Sequence, residues 1–257
     1  MNYKIAFHSD IGIVKDTNQD SCCILEAETA KGTVLLAVVC DGMGGLAKGE
    51  VASATLIQAF SKWFESELPE LLQHEESMEE VKYRWGRIIR EQNQSIAAYG
   101  RELHIQLGST ITAMLFFEDG SYLIGHVGDS RAYKITDSDM NMLTIDQTVV
   151  ANEIRLGRLT PDQAKVDPRR NVLLQCVGAS RIVEPDFYTG KAMGTECYML
   201  CSDGFRHVIS AEEIQNRFAP SKNTEEARMK TNVVQLIDLN KTRNERDNIT
   251  VVLIKVE

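Results

Sequence analysis

No run in this chain approaches the ~18–20 apolar residues that a membrane span needs, so no transmembrane segment is expected. Glycine and proline are scarce, 17 and 5 of 257 residues, which excludes collagen-like and low-complexity architectures. No Ser/Pro/Gly-rich linker divides the sequence, and no repeat of ~20–50 residues recurs, which sets aside solenoids and propellers. One domain over 1–257 is the expectation. Met1-Asn2-Tyr3-Lys4 leads to only a few apolar residues before Asp10, too few for a secretory signal, so the expected location is the cytoplasm. Positive charge is in deficit: 28 Lys and Arg against 37 Asp and Glu give a net charge of −9. That balance argues against a nucleic-acid binder held by phosphate neutralisation and suits a protein that gathers carboxylates around cations. None of the six cysteines forms a C-x-x-C pair, and they read as small buried hydrophobes rather than disulfides or a zinc site.

What is present is an ordinary globular composition, 43% hydrophobic and 25% charged. Short apolar segments at 3–8, 21–27 and 33–40 read as strands. The segment 33–40 is apolar almost throughout, as expected of a strand buried on both faces. Ala52, Leu56, Ala59, Phe60 and Trp63 recur at helical spacing from about residue 49, and Leu68-Pro69 ends that helix. Val81, Trp85, Ile88, Ile89, Ile96 and Tyr99 form the stripe of a second helix, antiparallel to the first. Strands are expected at about 109–117, 121–127 and 131–135, with Glu118-Asp119-Gly120 as a hairpin turn. A polar stretch at 144–170 contains a helix near 147–157 stopped by Gly157, and a turn of helix opened by Thr160-Pro161. Several short strands follow to about 202. Ser210 with Glu213, and Asn223 with Glu226, suggest capping boxes for helices at 211–218 and one ending near Leu239. A last strand covers 248–256. Strand runs and helix runs are segregated, which argues for an α+β layering of mainly antiparallel sheets covered by helices.

Three segments share one pattern, an apolar strand followed by Asp with Gly adjacent: Val38-Val39-Cys40-Asp41-Gly42, Ile124-Gly125-His126-Val127-Gly128-Asp129 and Met199-Leu200-Cys201-Ser202-Asp203-Gly204. Asp247 precedes the last strand and Asp20 precedes the strand at 21–27. Taken singly, Asp-Gly is turn chemistry. Repetition at strand ends is different, because carboxylates gathered on one edge repel unless cations are present. An all-oxygen set of this kind is a candidate site for hard divalent ions. Two such ions can activate a bridging water and stabilise both oxygens of an in-line phosphoryl displacement.

At these residues the chain resembles a family. Asp41-Gly42-Met43-Gly44-Gly45, Gly108-Ser109-Thr110, Val127-Gly128-Asp129-Ser130-Arg131-Ala132-Tyr133, Leu200-Cys201-Ser202-Asp203-Gly204 and Asp247-Asn248-Ile249-Thr250-Val251-Val252 are similar, in this order, to the motif set of the metal-dependent protein phosphatases, the protein phosphatase 2C family. Ser9-Asp10-Ile11-Gly12 through Asn18-Gln19-Asp20 resembles its first motif. The likeness runs from about residue 5 to 255, and the short, undecorated form is like a bacterial member. It implies a four-layer α/β/β/α sandwich, two antiparallel sheets between helix pairs. It also implies hydrolysis of phosphoserine and phosphothreonine in proteins with Mn²⁺ or Mg²⁺. Carried over by position, Asp41 would bridge two ions, with the Gly42 carbonyl and a water-mediated contact from Asp20 on one. Asp203 and Asp247 would hold the other, and Asp129 with Asp203 a weaker third. Asn248 would orient Asp247. The implied partners are phosphorylated proteins, including a Ser/Thr kinase and its targets, met by a monomer, with no nucleic acid and no membrane.

Several positions depart from the family pattern. Lys15 stands where the family usually has a phosphate-binding Arg, a point charge in place of a planar fork; its other reading is a solvated surface lysine. Gln19 stands where many relatives have Glu, and it can hold a metal's water without adding charge. Leu46 replaces a histidine suspected of protonating the leaving group. His126 is the nearest other titratable group in sequence, read either as a packed histidine or as a proton-transfer group. In the expected flap, 147–170, Gln147 stands in a usual histidine position, and Leu174-Gln175-Cys176-Val177-Gly178 replaces a more regular segment beyond it. Arg155, Arg169 and Arg170 are available to a phosphopeptide or to solvent. Competing expectations are a silent phosphatase-like module that binds phosphoproteins or a kinase, and a metal phosphoesterase for a small metabolite.

Overall fold

The computed structural model describes residues 1–44, 48–73 and 78–257. The chain opens with β1 (Tyr3–Asp10), β2 (Asp20–Thr29) and β3 (Gly32–Gly44), followed by α1 (Gly49–Ser66), α2 (Leu68–Gln73) and α3 (Met78–Leu103). Strands β4 (Leu107–Ser109), β5 (Ile111–Phe116), β6 (Ser121–Val127), β7 (Arg131–Ile135) and β8 (Met140–Met142) come next, then α4 (Val149–Arg155) and α5 (Pro161–Val166). Strands β9 (Asp186–Lys191) and β10 (Glu196–Cys201), helices α6 (Ala211–Phe218) and α7 (Glu226–Thr242), and β11 (Ile249–Val256) complete it.

These strands form two antiparallel sheets. One runs β1-β11-β10-β7-β8; the other runs β2-β3-β5-β6-β9, with β4 paired to β3. The near-continuous apolar run of β3 has a simple cause. Successive side chains of a strand point to opposite faces, and both faces of this strand are covered. Val34, Leu36, Val38 and Cys40 pack against Leu56, Phe60, Trp63 and Trp85 of α1 and α3. Leu35, Ala37 and Val39 point the other way, into a core shared with Leu200, Val252 and Ile254 of the facing sheet. The alternation repeats in β11, whose Val251 and Leu253 meet Val233, Leu236 and Ile237 of α7. Four layers result, helices, sheet, sheet, helices, and the α+β sandwich expected from the sequence is the observed architecture.

Local signals mostly survive. The Ser210–Glu213 capping box forms at α6, and Gly120 adopts φ 82° in the hairpin between β5 and β6. Three readings need correction. The strand expected over 109–117 breaks at Thr110 into β4 and β5. Asn223 does not cap α7, which starts after Glu225 with no side-chain cap and runs on to Thr242. The Asn223 amide instead donates to the carbonyls of Arg217 and Ala219, at 2.9 Å each, and ties α6 to the following turn. Only two strands, β9 and β10, lie between the polar stretch and residue 202. No described helix is long and apolar enough to cross a membrane.

Candidate active site

Both sheets contribute strand ends to one edge of the sandwich. Asp20 opens β2 and Asp41 lies near the end of β3, directly opposite it in the ladder. Asp129 sits in the turn from β6 to β7, Asp203 begins a 3-10 turn after β10, and Asp247 precedes β11. Ser202 links the sheets: its hydroxyl donates to Asp20 Oδ2 at 2.8 Å, and its N–H donates to the Thr250 carbonyl at 3.0 Å.

Close backbone approach shapes this edge. A Cβ on Gly42 would lie 2.3 Å from the Gly49 carbonyl oxygen, and one on Gly204 would lie 2.1 Å from that of Asn248. Glycine at these two positions is therefore required by contact rather than by φ. It lets the Asp41 and Asp203 segments press against their neighbours.

The carboxylates crowd one another. Burial, then Asp20, Asp203, Asp129 and Asp247, push the Asp41 carboxyl well above the usual carboxylate range. Burial and the charges of Asp203 and Asp247 push Asp20 up to about 7, against the hydroxyls of Thr250 and Ser202. Burial and Asp203 push Asp129 up to about 6, opposed by Arg206. Burial would raise Asp203 as well, but His207 and Arg206 outweigh it and hold Asp203 near 2. Asp20 Oδ1 and Asp203 Oδ1 are buried with no hydrogen-bond donor. Buried acceptors left so are costly unless a cation or donor meets them.

Among the described residues no three His, Cys, Asp or Glu side chains meet as a ready-made metal cluster. Side-chain cations lie against the acidic edge instead. Lys15 Nζ is 2.9 Å from Asp247 Oδ1, and His207 Nε2 is 3.2 Å from Asp203 Oδ2. His207 Nδ1 is 3.3 Å from Glu245 Oε2, while Glu245 Oε1 accepts the N–H groups of Arg246 and Asp247 at 2.8 and 2.9 Å. Glu245 and His207 thus form a strut between the Asp203 and Asp247 segments. Burial opposes the charge on His207, yet Asp203 and Glu245 push it up to about 10. A cavity of about 630 Å³ opens beside these groups, lined by Lys15, Arg170, His207, Glu245 and Asp247.

Other sequence expectations find definite places. Asn248 does meet Asp247, but through its backbone N–H, which donates to Asp247 Oδ1 at 3.0 Å. Its side chain clamps the 11–19 loop, donating to the carbonyls of Ile11 and Thr17 and accepting from Gln19 N–H at 2.9 Å. Gln19 enters the site by its backbone, its carbonyl accepting from Gly42 N–H and from the Ser53 hydroxyl. His126 is fully buried within the sheet, Nδ1 3.0 Å from Thr112 Oγ1, and burial pushes it down to about 4. That is the packed reading. Leu46 and Gly45 lie outside the described residues. In the flap, Gln147 accepts from Gly128 N–H at 2.9 Å and donates to Asp186 at 2.7 Å, anchoring the segment to the Asp129 turn. Arg170 lines the cavity, whereas Arg169 is paired with Asp167 at 2.9 Å.

Residues 13–238 match the family model described as protein phosphatase 2C. The chain belongs to the protein phosphatase 2C family. The serine/threonine protein phosphatase PstP of Mycobacterium tuberculosis is 32% identical over 98% of this chain, which spans 45% of that protein's length. A solved Streptococcus agalactiae serine/threonine phosphatase superposes with a TM-score of 0.84 at 29% identity, covering the whole of both chains. The PstP catalytic domain solved with two manganese ions superposes with a TM-score of 0.78 at 29% identity, covering 98% of this chain and 97% of that one. Family membership makes this chain a metal-dependent serine/threonine phosphatase.

Sequence reasoning missed His207, Glu245 and Arg206. One signal was available for the first: Asp203 and His207 are four residues apart across a tight turn, the spacing at which an acid and a base meet.

Proposed function

We propose that this chain removes phosphate from phosphoserine and phosphothreonine in proteins, at a site where Asp41 would help hold two divalent cations, Mn²⁺ or Mg²⁺. The observation that carries the reading is the confinement of Asp41 with Asp20, Asp129, Asp203 and Asp247 at one edge, with buried oxygens of Asp20 and Asp203 left without donors. All-oxygen donors of this charge suit hard cations. Asp20 and the Gly42 carbonyl would hold one ion, and Asp203 and Asp247 the other. Bound there, the two ions would supply an activated water and neutralise charge on the phosphoryl oxygens.

The chain's own groups do the rest. Gly42 and Gly204 bring the ligand-bearing backbone close, and the Glu245–His207 strut fixes Asp203 relative to Asp247. Lys15 lies at the cavity beside Asp247, positioned to attract a phosphate group as a point charge. The open cavity and the flap carrying Arg170 leave room for a polypeptide. In this reading 1–257 works as one catalytic domain, a monomer in the cytoplasm, and its substrates include a Ser/Thr kinase and that kinase's targets.

The experiment is phosphate release from a phosphothreonine peptide, with Mn²⁺, with Mg²⁺ and with chelator. Release with either ion and none with chelator is expected, and the peptide should be preferred over small phosphate monoesters. Folded protein that releases nothing would replace hydrolysis with phosphoprotein binding, and preference for a small ester would point to a metabolite phosphoesterase.

A further inference from the structure

The family resemblance implies a third ion held by Asp129 and Asp203. The residues around Asp129 do not fit one. Asp129 is buried in the β6–β7 turn, where Gly128 has φ 107° and its Cβ position lies 2.5 Å from Thr110 Cγ2. Arg206 reaches this turn from the segment after Asp203. Its Nη2 donates to the Asp129 carbonyl at 3.0 Å and lies 3.7 Å from Asp129 Oδ2 and 3.9 Å from Asp146 Oδ2. Asp146 is in turn held by both prongs of Arg131, at 2.7 and 2.6 Å. Two carboxylates and two guanidinium groups therefore form one largely buried ion-pair network, with Asp203 beside it.

We propose that Arg206 is a built-in cation occupying the third-ion position, so that this phosphatase works with two metal ions and excludes a third. The inference rests on the binuclear reading above and restricts it. A guanidinium is always charged and cannot be deprotonated in a protein. A dication added beside it would meet like-charge repulsion, and both Asp129 and Asp146 already have their counter-charges. Asp203 would keep its part in the two-ion site, and Asp129 would ligate no metal.

Equilibrium dialysis against Mn²⁺, with bound metal counted per folded chain, tests this directly and does not depend on turnover. The wild-type protein should bind two ions. The Arg206→Met variant keeps the apolar stem and removes the charge, and it should bind three. Adding Asp129→Asn to that variant should return the count to two. Asp129→Asn alone should leave the wild-type count at two, a measurement that stands even if Arg206→Met fails to fold. Three ions in the wild type, falling to two with Asp129→Asn, would overturn the inference while leaving the binuclear site intact. Two ions in a folded Arg206→Met variant would also overturn it, since Arg206 would then exclude nothing. Fewer than two in the wild type would overturn the binuclear reading, and this inference with it.

Discussion

Replacing Asp41 with Asn should abolish turnover and, in chelator, make the protein more stable. The two effects have one cause. Asp41 is surrounded by Asp20, Asp203, Asp129 and Asp247, and desolvation with their charge makes its ionised form unfavourable, so that the metal-free fold must keep a proton there. Asn has nearly the same shape and no charge, so the metal-free fold is relieved of one unfavourable term. Each kcal/mol relieved raises Tm by about 2–4 °C for a chain of this size. With Mn²⁺ present the order reverses. The wild-type protein should gain stability by binding ions that the variant would hold poorly, following ordinary binding linkage. Two ions stabilise phosphoryl transfer by several kcal/mol, so turnover should fall by ~10³-fold or more. Melting curves with and without Mn²⁺, beside phosphate-release rates, test both halves. Turnover within tenfold of wild type would remove Asp41 from the centre of the reaction.

Without metal, stability should fall as pH rises from about 4 to about 8. The unfolded chain titrates its aspartates near ~3.9, whereas the folded chain holds a proton on Asp20 up to about 7 and on Asp129 up to about 6. Asp41 is displaced the same way. Between the unfolded and folded values the folded state binds more protons, so raising the pH favours unfolding. This contribution is complete below the unfolded value and is lost as pH passes the folded ones. His207, raised to about 10, has the same sign at higher pH, because its extra stability is lost between its ordinary value and about 10. Asp203, lowered to about 2, contributes the opposite slope only below about 4. His126, lowered to about 4, opposes the trend between about 4 and 6.5, one group against Asp20, Asp129 and Asp41. Divalent ions would take the place of the protons on Asp20 and Asp41 and bind better as those carboxylates ionise. Saturating Mn²⁺ should therefore flatten or reverse the slope. Thermal melts across this range, in chelator and in Mn²⁺, decide the matter; stability that rises with pH in chelator contradicts the crowded-carboxylate account.

The layered fold was readable because its causes are local and periodic. The continuous apolar run 33–40 announced a strand covered on both faces, and β3 sends alternate residues to the helices and to the facing sheet. The stripes of α1 and α3 and the Ser210–Glu213 cap were readable for the same reason. The acidic edge was readable as a pattern, Asp after a strand with Gly beside it. Its members' neighbours were not. The family resemblance assigns Lys15 to phosphate, with a solvated surface lysine as the other reading; its pairing with Asp247, 232 positions away, is a contact that no local pattern reveals. The strut through Glu245 joins segments brought together only by the packing of β10 and β11. Asn223 failed as a cap because Arg217 and Ala219 offered it buried carbonyls, a tertiary demand that overrides the local signal.

The most direct test of the binuclear site is anomalous diffraction from crystals of the protein grown with Mn²⁺. The account predicts two peaks at the acidic edge, bridged by Asp41, with Asp20 and the Gly42 carbonyl on one side and Asp203 and Asp247 on the other. Peaks that avoid Asp41, or a single peak elsewhere on the surface, would contradict it.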